Sequence, residues 1–93
     1  MFLDSNFQSN SIIIYPNPSN SSFTVDLTSE MDEVILMKIT NNLGINIFSD
    51  LLYVTKGNNR YFIVESESWP AGVYFVDFLS NKLKQTIKLL KMK

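Results

Sequence analysis

Nine carboxylates are the groups of this 93-residue chain best suited to catalysis, because two of them held close together can divide the work of general acid and general base. The closest candidates are Asp32 with Glu33 and Glu65 with Glu67. Both pairs lie beside turns without any other catalytic partner, which favours a solvated rim over a reaction centre. A calcium site drawn from Asp26, Asp32 or Asp50 lacks the Asp-x-Asp-x-Asp loop and the glycine that such loops need, so no metal is assigned. The chain has no histidine and no cysteine. That removes serine and cysteine triads, histidine-based zinc sites and disulfides. The expectation is a protein that is not an enzyme and carries no cofactor.

Aromatic side chains are the other groups with a binding chemistry. Trp69, four tyrosines and seven phenylalanines could build a platform for sugars. Most of them keep strand phase with Ile, Leu or Val, which assigns them to a core. Phe48, Tyr53 and Tyr61 are the ones whose exposure decides the matter. A carbohydrate-binding or adhesive immunoglobulin-like module of a secreted protein is therefore the alternative function. Asn20-Ser21-Ser22 fits the glycosylation pattern, but such triplets are common by chance in a turn rich in Asn and Ser.

Charge is distributed unevenly. From Met1 to Asp77 there are Lys38, Lys56 and Arg60 against all nine carboxylates, whereas Phe78 to Lys93 holds Lys82, Lys84, Lys88, Lys91 and Lys93 and no acid. A nucleic-acid module is basic over a broader face, so no nucleic-acid partner is expected. No apolar run approaches the ~20 residues of a membrane span, so no transmembrane segment is expected. Met1-Phe2-Leu3-Asp4 has neither the positive start nor the apolar stretch of a signal peptide; an exported form would need its leader on a longer precursor.

Residues 1–11 have the polar composition of a linker, and 12–93 read as one domain. Ile12 to Tyr15 is a short β run stopped by Pro16-Asn17-Pro18, which withholds two backbone donors. Phe23, Val25 and Leu27 alternate with Thr24, Asp26 and Thr28; Ile35, Met37 and Ile39 share a face opposite Val34, Leu36 and Lys38. After the Asn42-Leu43-Gly44 turn come short strands over 45–48 and 51–55 around Ser49-Asp50, then a Lys56-Gly57-Asn58-Asn59 turn and a strand over 61–64. Pro70-Ala71-Gly72 leads into an apolar strand over 73–79. Leu83, Gln85, Ile87 and Leu89 then alternate with Lys82, Lys84, Thr86 and Lys88; Leu83, Ile87 and Leu90 also fit a helical stripe, but the strand is favoured. The pattern predicts an all-β fold, an immunoglobulin-like antiparallel β-sandwich of about seven strands. Its inward residues are expected to include Phe23, Val25, Leu27, Ile35, Met37, Ile39, Trp69, Tyr74, Val76 and Ile87.

Five motifs occur together in this order. Ile14-Tyr15-Pro16-Asn17-Pro18 followed by Phe23-Thr24-Val25 resembles the Y-P-N-P opening of type A C-terminal sorting domains of the type IX (Por) secretion system, and Asn42-Leu43-Gly44 resembles their central turn. Gly57-Asn58-Asn59 resembles their G-x-N turn, and Pro70-Ala71-Gly72-Val73-Tyr74 their P-x-G-V-Y strand start, while the lysine-rich finish from Lys82 to Lys93 resembles their closing strand. The resemblance runs from about Ile12 to Lys93. Two positions depart from it: the family usually has Gly near Ser21 and an apolar residue where Ser66 stands. Pro16, Asn17, Pro18, Gly44, Gly57, Asn59, Gly72, Val73 and Tyr74 are thus implied to be structural motif residues, with Tyr74 in the core.

The resemblance implies recognition rather than reaction. An N-terminal cargo domain would be carried through the periplasm to the outside or to the cell surface. The partners implied are the type IX translocon and shuttle proteins, and a sortase-like protease that cuts before Ile12. The docking element expected is the last strand, with Lys82, Lys84, Lys88, Lys91 and Lys93 supplying charge and its free edge supplying unpaired backbone groups.

Overall fold

The strands form where apolar residues recur at every second position. A computed structural model describes residues 11–92; Lys93 and all of the expected linker except Ser11 lie outside them. In chain order the elements are β1 (Ser11–Tyr15), β2 (Phe23–Ser29), β3 (Glu33–Asn41), β4 (Asn46–Val54), β5 (Gly57–Ile63), a 3-10 turn over Glu65–Ser68, β6 (Gly72–Leu79) and β7 (Lys84–Lys91). Phe23, Val25 and Leu27 point inward from β2, and Ile35, Met37 and Ile39 from β3. Thr24, Asp26 and Thr28 take the opposite face of β2.

Two antiparallel sheets result, one ordered β1-β2-β5 and the other β4-β3-β6-β7. This is the expected all-β, immunoglobulin-like sandwich of seven strands. The constant-type arrangement puts the fourth strand beside the fifth; here β4 pairs with β3 instead, from Glu33↔Val54 to Thr40↔Asn46. β6 lies between β3 and β7 and is therefore apolar on both faces: Tyr74, Val76 and Phe78 are buried, and Val73, Phe75 and Leu79 half-buried. The last segment is a strand, not a helix.

Eight of the ten inward residues anticipated are buried. Trp69 and Ile87 are partly buried and pack against the core. Ile12, Ile14, Leu52, Val54, Ile63, Phe78, Leu83 and Leu89 complete it. Each large side chain removed from water here stabilises the fold by ~1.5–3 kcal/mol. Trp69 closes one end of the sandwich and joins both sheets, its ring centroid lying 6.3 Å from Phe23 of β2, 6.1 Å from Phe48 of β4 and 5.3 Å from Tyr74 of β6.

Two elements differ from expectation. The strands read as 45–48 and 51–55 are one, β4, which runs through Ser49 and Asp50. An edge strand tolerates polar residues there, and the Asp50 carboxylate accepts the Leu51 N–H at 2.9 Å. A register shift at Ile39/Thr40 absorbs the change of phase near Ile47. The turn read as Lys56 to Asn59 is shorter, because Gly57, Asn58 and Asn59 already belong to β5. The Asn59 side chain closes it, accepting from Thr55 N at 3.0 Å and donating to Thr55 O at 2.8 Å.

Candidate functional site

β7 forms one edge of the four-stranded sheet, paired with β6 from Gly72↔Lys91 to Leu79↔Lys84. Period-two alternation sends Lys84, Thr86 and Lys88 to the outer face, and Gln85, Ile87, Leu89 and Lys91 inward. Lys84 and Lys88 are exposed, as is Lys82 in the preceding turn. Thr86 donates to the Asp77 carboxylate at 2.6 Å across the β6–β7 pair.

Lys91 is not part of that exposed set. It is 1% exposed, and its ammonium donates to the Trp69 carbonyl at 2.9 Å. The lysine therefore ties the end of β7 to the Trp69 loop, and its methylene stem lies among apolar neighbours. Lys93 lies outside the described residues.

The edge of β7 is not entirely free either. The Asn17 side-chain amide acts on it as the N–H and C=O of one residue of a parallel strand would, donating to Lys88 O at 2.8 Å and accepting from Leu90 N at 3.0 Å. Beside it the Ser19 backbone continues the pairing in a short parallel bridge, Ser19 N to Leu90 O and Met92 N to Ser19 O, each 2.8 Å. Pro16 and Pro18 bracket Asn17, and both peptide bonds that precede them are cis. Ser19 is buried, and its hydroxyl lies 2.9 Å from Ser22 O and 3.2 Å from Ser21 O. Since Leu90 turns both its N–H and its C=O to the open side, alternation turns those of Lys84 and Thr86 the same way.

The remaining motif residues lie in turns and strands. Gly44, Gly57 and Gly72 all have positive φ, at 82°, 108° and 152°. In the turn around Gly44 the Asn41 carboxamide oxygen accepts from Leu43 N at 2.9 Å and Ile45 N at 3.0 Å. Tyr74 is buried, and its hydroxyl donates to Pro70 O at 2.5 Å, which holds the Pro70–Gly72 turn against the start of β6. Burial raises the pKa of that phenol. Val73 is half-buried on the outer face and paired with Leu90.

The two departures from the family pattern are joined to each other. Ser66 is fully buried, and its hydroxyl lies 2.8 Å from Ser21 O and 3.2 Å from Ile63 O. Having one proton, it serves the nearer carbonyl of Ser21. A buried serine at 66 and the backbone at 21 thus form one contact.

Two of the four carboxylates considered for catalysis lie within hydrogen-bond distance of neighbouring groups. Asp32 accepts Lys56 N at 2.8 Å, and the Glu33 carboxylate lies 3.1 Å from the Ser29 hydroxyl, which has Met31 O nearer at 2.8 Å. Glu65 and Glu67 sit in the first turn of the 3-10 element. Asp26 lies at the centre of the outer face of the three-stranded sheet, accepting from Asn58 at 2.5 Å and Arg60 at 3.1 Å. The hydrogen bond from Asn58, opposed by partial desolvation and reinforced by Arg60, lowers its pKa.

Of the aromatics singled out, Tyr53 is 71% exposed on the outer face of the four-stranded sheet, whereas Phe48 and Tyr61 pack against the core. Phe62, 70% exposed, is on the outer face of the other sheet, where Thr24 separates it from Tyr15. Among the described residues no helix is long and apolar enough to cross a membrane.

A family model described as the secretion system C-terminal sorting domain matches residues 13–92. No curated protein and no solved structure matches the chain.

Proposed function

The chain belongs to the family of secretion system C-terminal sorting domains, and from that membership we propose how its surface is used. It is a type IX sorting signal that marks a cargo attached N-terminally for export and for secretion or cell-surface display, and its family is not one of enzymes. In our reading the domain remains folded in the periplasm and is bound there by shuttle and outer-membrane translocon components. A sortase-like protease then removes it by cutting before Ile12.

The docking element in this proposal is β7 with the turn before it, through the exposed Lys82 of the turn and Lys84 and Lys88 of the strand. The family match carries the functional reading; the clustering of these lysines without a nearby acid on the same segment supports the choice of strand. Lys91 is better suited to holding β7 in place, given its bond to the Trp69 carbonyl.

The test is export of a fluorescent reporter that carries an N-terminal periplasmic signal and residues 1–93 at its C-terminus, in a bacterium with this pathway. The wild-type fusion is expected outside the cell. A variant with Lys82, Lys84 and Lys88 changed to Gln is expected to fold normally and remain in the periplasm. Retention of the wild-type fusion would remove the sorting function, and normal export of the triple variant would remove the lysines from it.

A further inference from the structure

The two edges of the four-stranded sheet are covered differently. On β4 two of the outward backbone groups are engaged by side chains of this chain: Leu51 N by Asp50, and Tyr53 O by the Tyr61 hydroxyl at 3.1 Å. On β7 the edge is divided. Ser19 covers the Leu90 carbonyl and Met92 N–H through its backbone and is anchored in the core. Asn17 covers Lys88 O and Leu90 N through an exposed side chain only. Lys84, Thr86 and the Lys88 N–H are left facing outward.

We propose that the Asn17 carboxamide is a removable plug on β7, displaced when an extended, carboxylate-bearing strand of a partner protein pairs with the edge from Lys84 to Leu90 and stops against Ser19. This deepens the reading of β7 as docking strand and rests on it. With the plug in place the open edge runs from Lys84 to Lys88, about 14 Å at ~3.4 Å per residue; without it the edge reaches Leu90, about 20 Å. The plug supplies one amide donor and one amide acceptor, as the N–H and C=O of one residue of an incoming strand do, so the partner replaces each lost bond with its own.

Charge selects the kind of strand. Lys84 and Lys88 point to the same face with Thr86 between them, so an acidic residue at each end of a five-residue stretch of the partner falls opposite a lysine. A second copy of this chain is disfavoured, because antiparallel pairing of two β7 strands brings lysines toward lysines with no acid between Phe78 and Lys93.

The test uses the full chain, isotopically labelled, with Asn17→Ala and Asn17→Asp variants. The probe is a capped six-residue peptide in which Glu, Thr and Glu alternate with Val. In Asn17→Ala the Leu90 amide is expected to exchange with solvent about tenfold faster or more, with Val76 in β6 unchanged. The peptide is expected to bind that variant several-fold tighter, its shifts spreading from Lys84–Lys88 to Leu90. Asn17→Asp keeps an acceptor for Leu90 N–H and loses the donor to Lys88 O, so Leu90 protection should survive there. Unchanged Leu90 exchange in Asn17→Ala, or Leu90 and Val76 accelerating together, makes Asn17 a plain structural tie and overturns the proposal. So does concentration-dependent dimerisation of Asn17→Ala in place of peptide binding. If Leu90 opens as expected but the peptide perturbs β1 or β4 instead, the choice of β7 as docking strand is what fails.

Discussion

Replacing Gly72 with alanine isolates a backbone effect from a packing effect. Gly72 has φ +152°, and a Cβ built there meets nothing within 4 Å. No cavity, clash or lost contact therefore enters; only the conformation is at issue. An L side chain in that sparsely populated region costs ~1–3 kcal/mol. Against this, alanine stiffens the unfolded chain, which offsets ~0.4–1 kcal/mol. The midpoints leave a net loss of about 1.3 kcal/mol, roughly a tenfold fall in the folding equilibrium and a drop in Tm of about 5–10 °C for a domain of this size.

Urea unfolding followed by tryptophan fluorescence measures the change, and the m-value should stay constant because the surface exposed is the same. Gly44 supplies the comparison. Its φ of +82° lies near the left-handed helical region, which asparagine tolerates. Gly44→Asn is therefore expected to cost less than Gly44→Ala, whereas Gly72→Asn should cost as much as Gly72→Ala. Equal stability of Gly72→Ala and wild type, or the same alanine-to-asparagine difference at both glycines, would refute the conformational argument.

Lys91→Ala removes a buried stem and leaves the Trp69 carbonyl without its ammonium; calorimetry should show a loss of ~2 kcal/mol or more, while Lys88→Ala on the exposed face stays within ~0.5 kcal/mol of wild type. Ser66→Ala removes the 2.8 Å bond to the Ser21 carbonyl and is expected to cost ~1 kcal/mol in urea unfolding. Asp26 has its folded pKa held below the ordinary 3.8 by Asn58, then Arg60. Its contribution to stability is thus present above that value and lost as pH falls through the lowered one. Asp26→Asn should therefore show a flatter decline of Tm on acidification than wild type, and parallel declines would remove Asp26 from the account.

The β-sandwich was legible because apolar alternation is uninterrupted in β2, while β3 and β6 read as short apolar runs bounded by turn residues. β4 was misread as two strands because Ser49 and Asp50 resemble a turn, and only their place on a sheet edge makes them compatible with a strand. Lys91 carried a local signal that charge alone concealed: it shares parity with Leu89 and Ile87, the inward set, not with Lys84 and Lys88. The Asn17 contact carried no such signal. Its partners lie 71 and 73 residues away, and nothing in the Pro-Asn-Pro segment states which edge it will meet. The bond from Ser66 to Ser21, 45 residues apart, was visible only as two unexplained departures from a family pattern.

The join between Ser19 and β7 sets how the domain answers to tension from its upstream side. A pull applied ahead of Ser11 loads the antiparallel β1–β2 pairs one after another, and such a zipper opens at small force. The load then arrives at Pro16–Ser19, where the bridge to Lys91 runs parallel and the hydrogen bonds to Leu90 and Met92 are strained together. The first strand can be peeled by a cargo in motion, while the sandwich behind it resists as a single block.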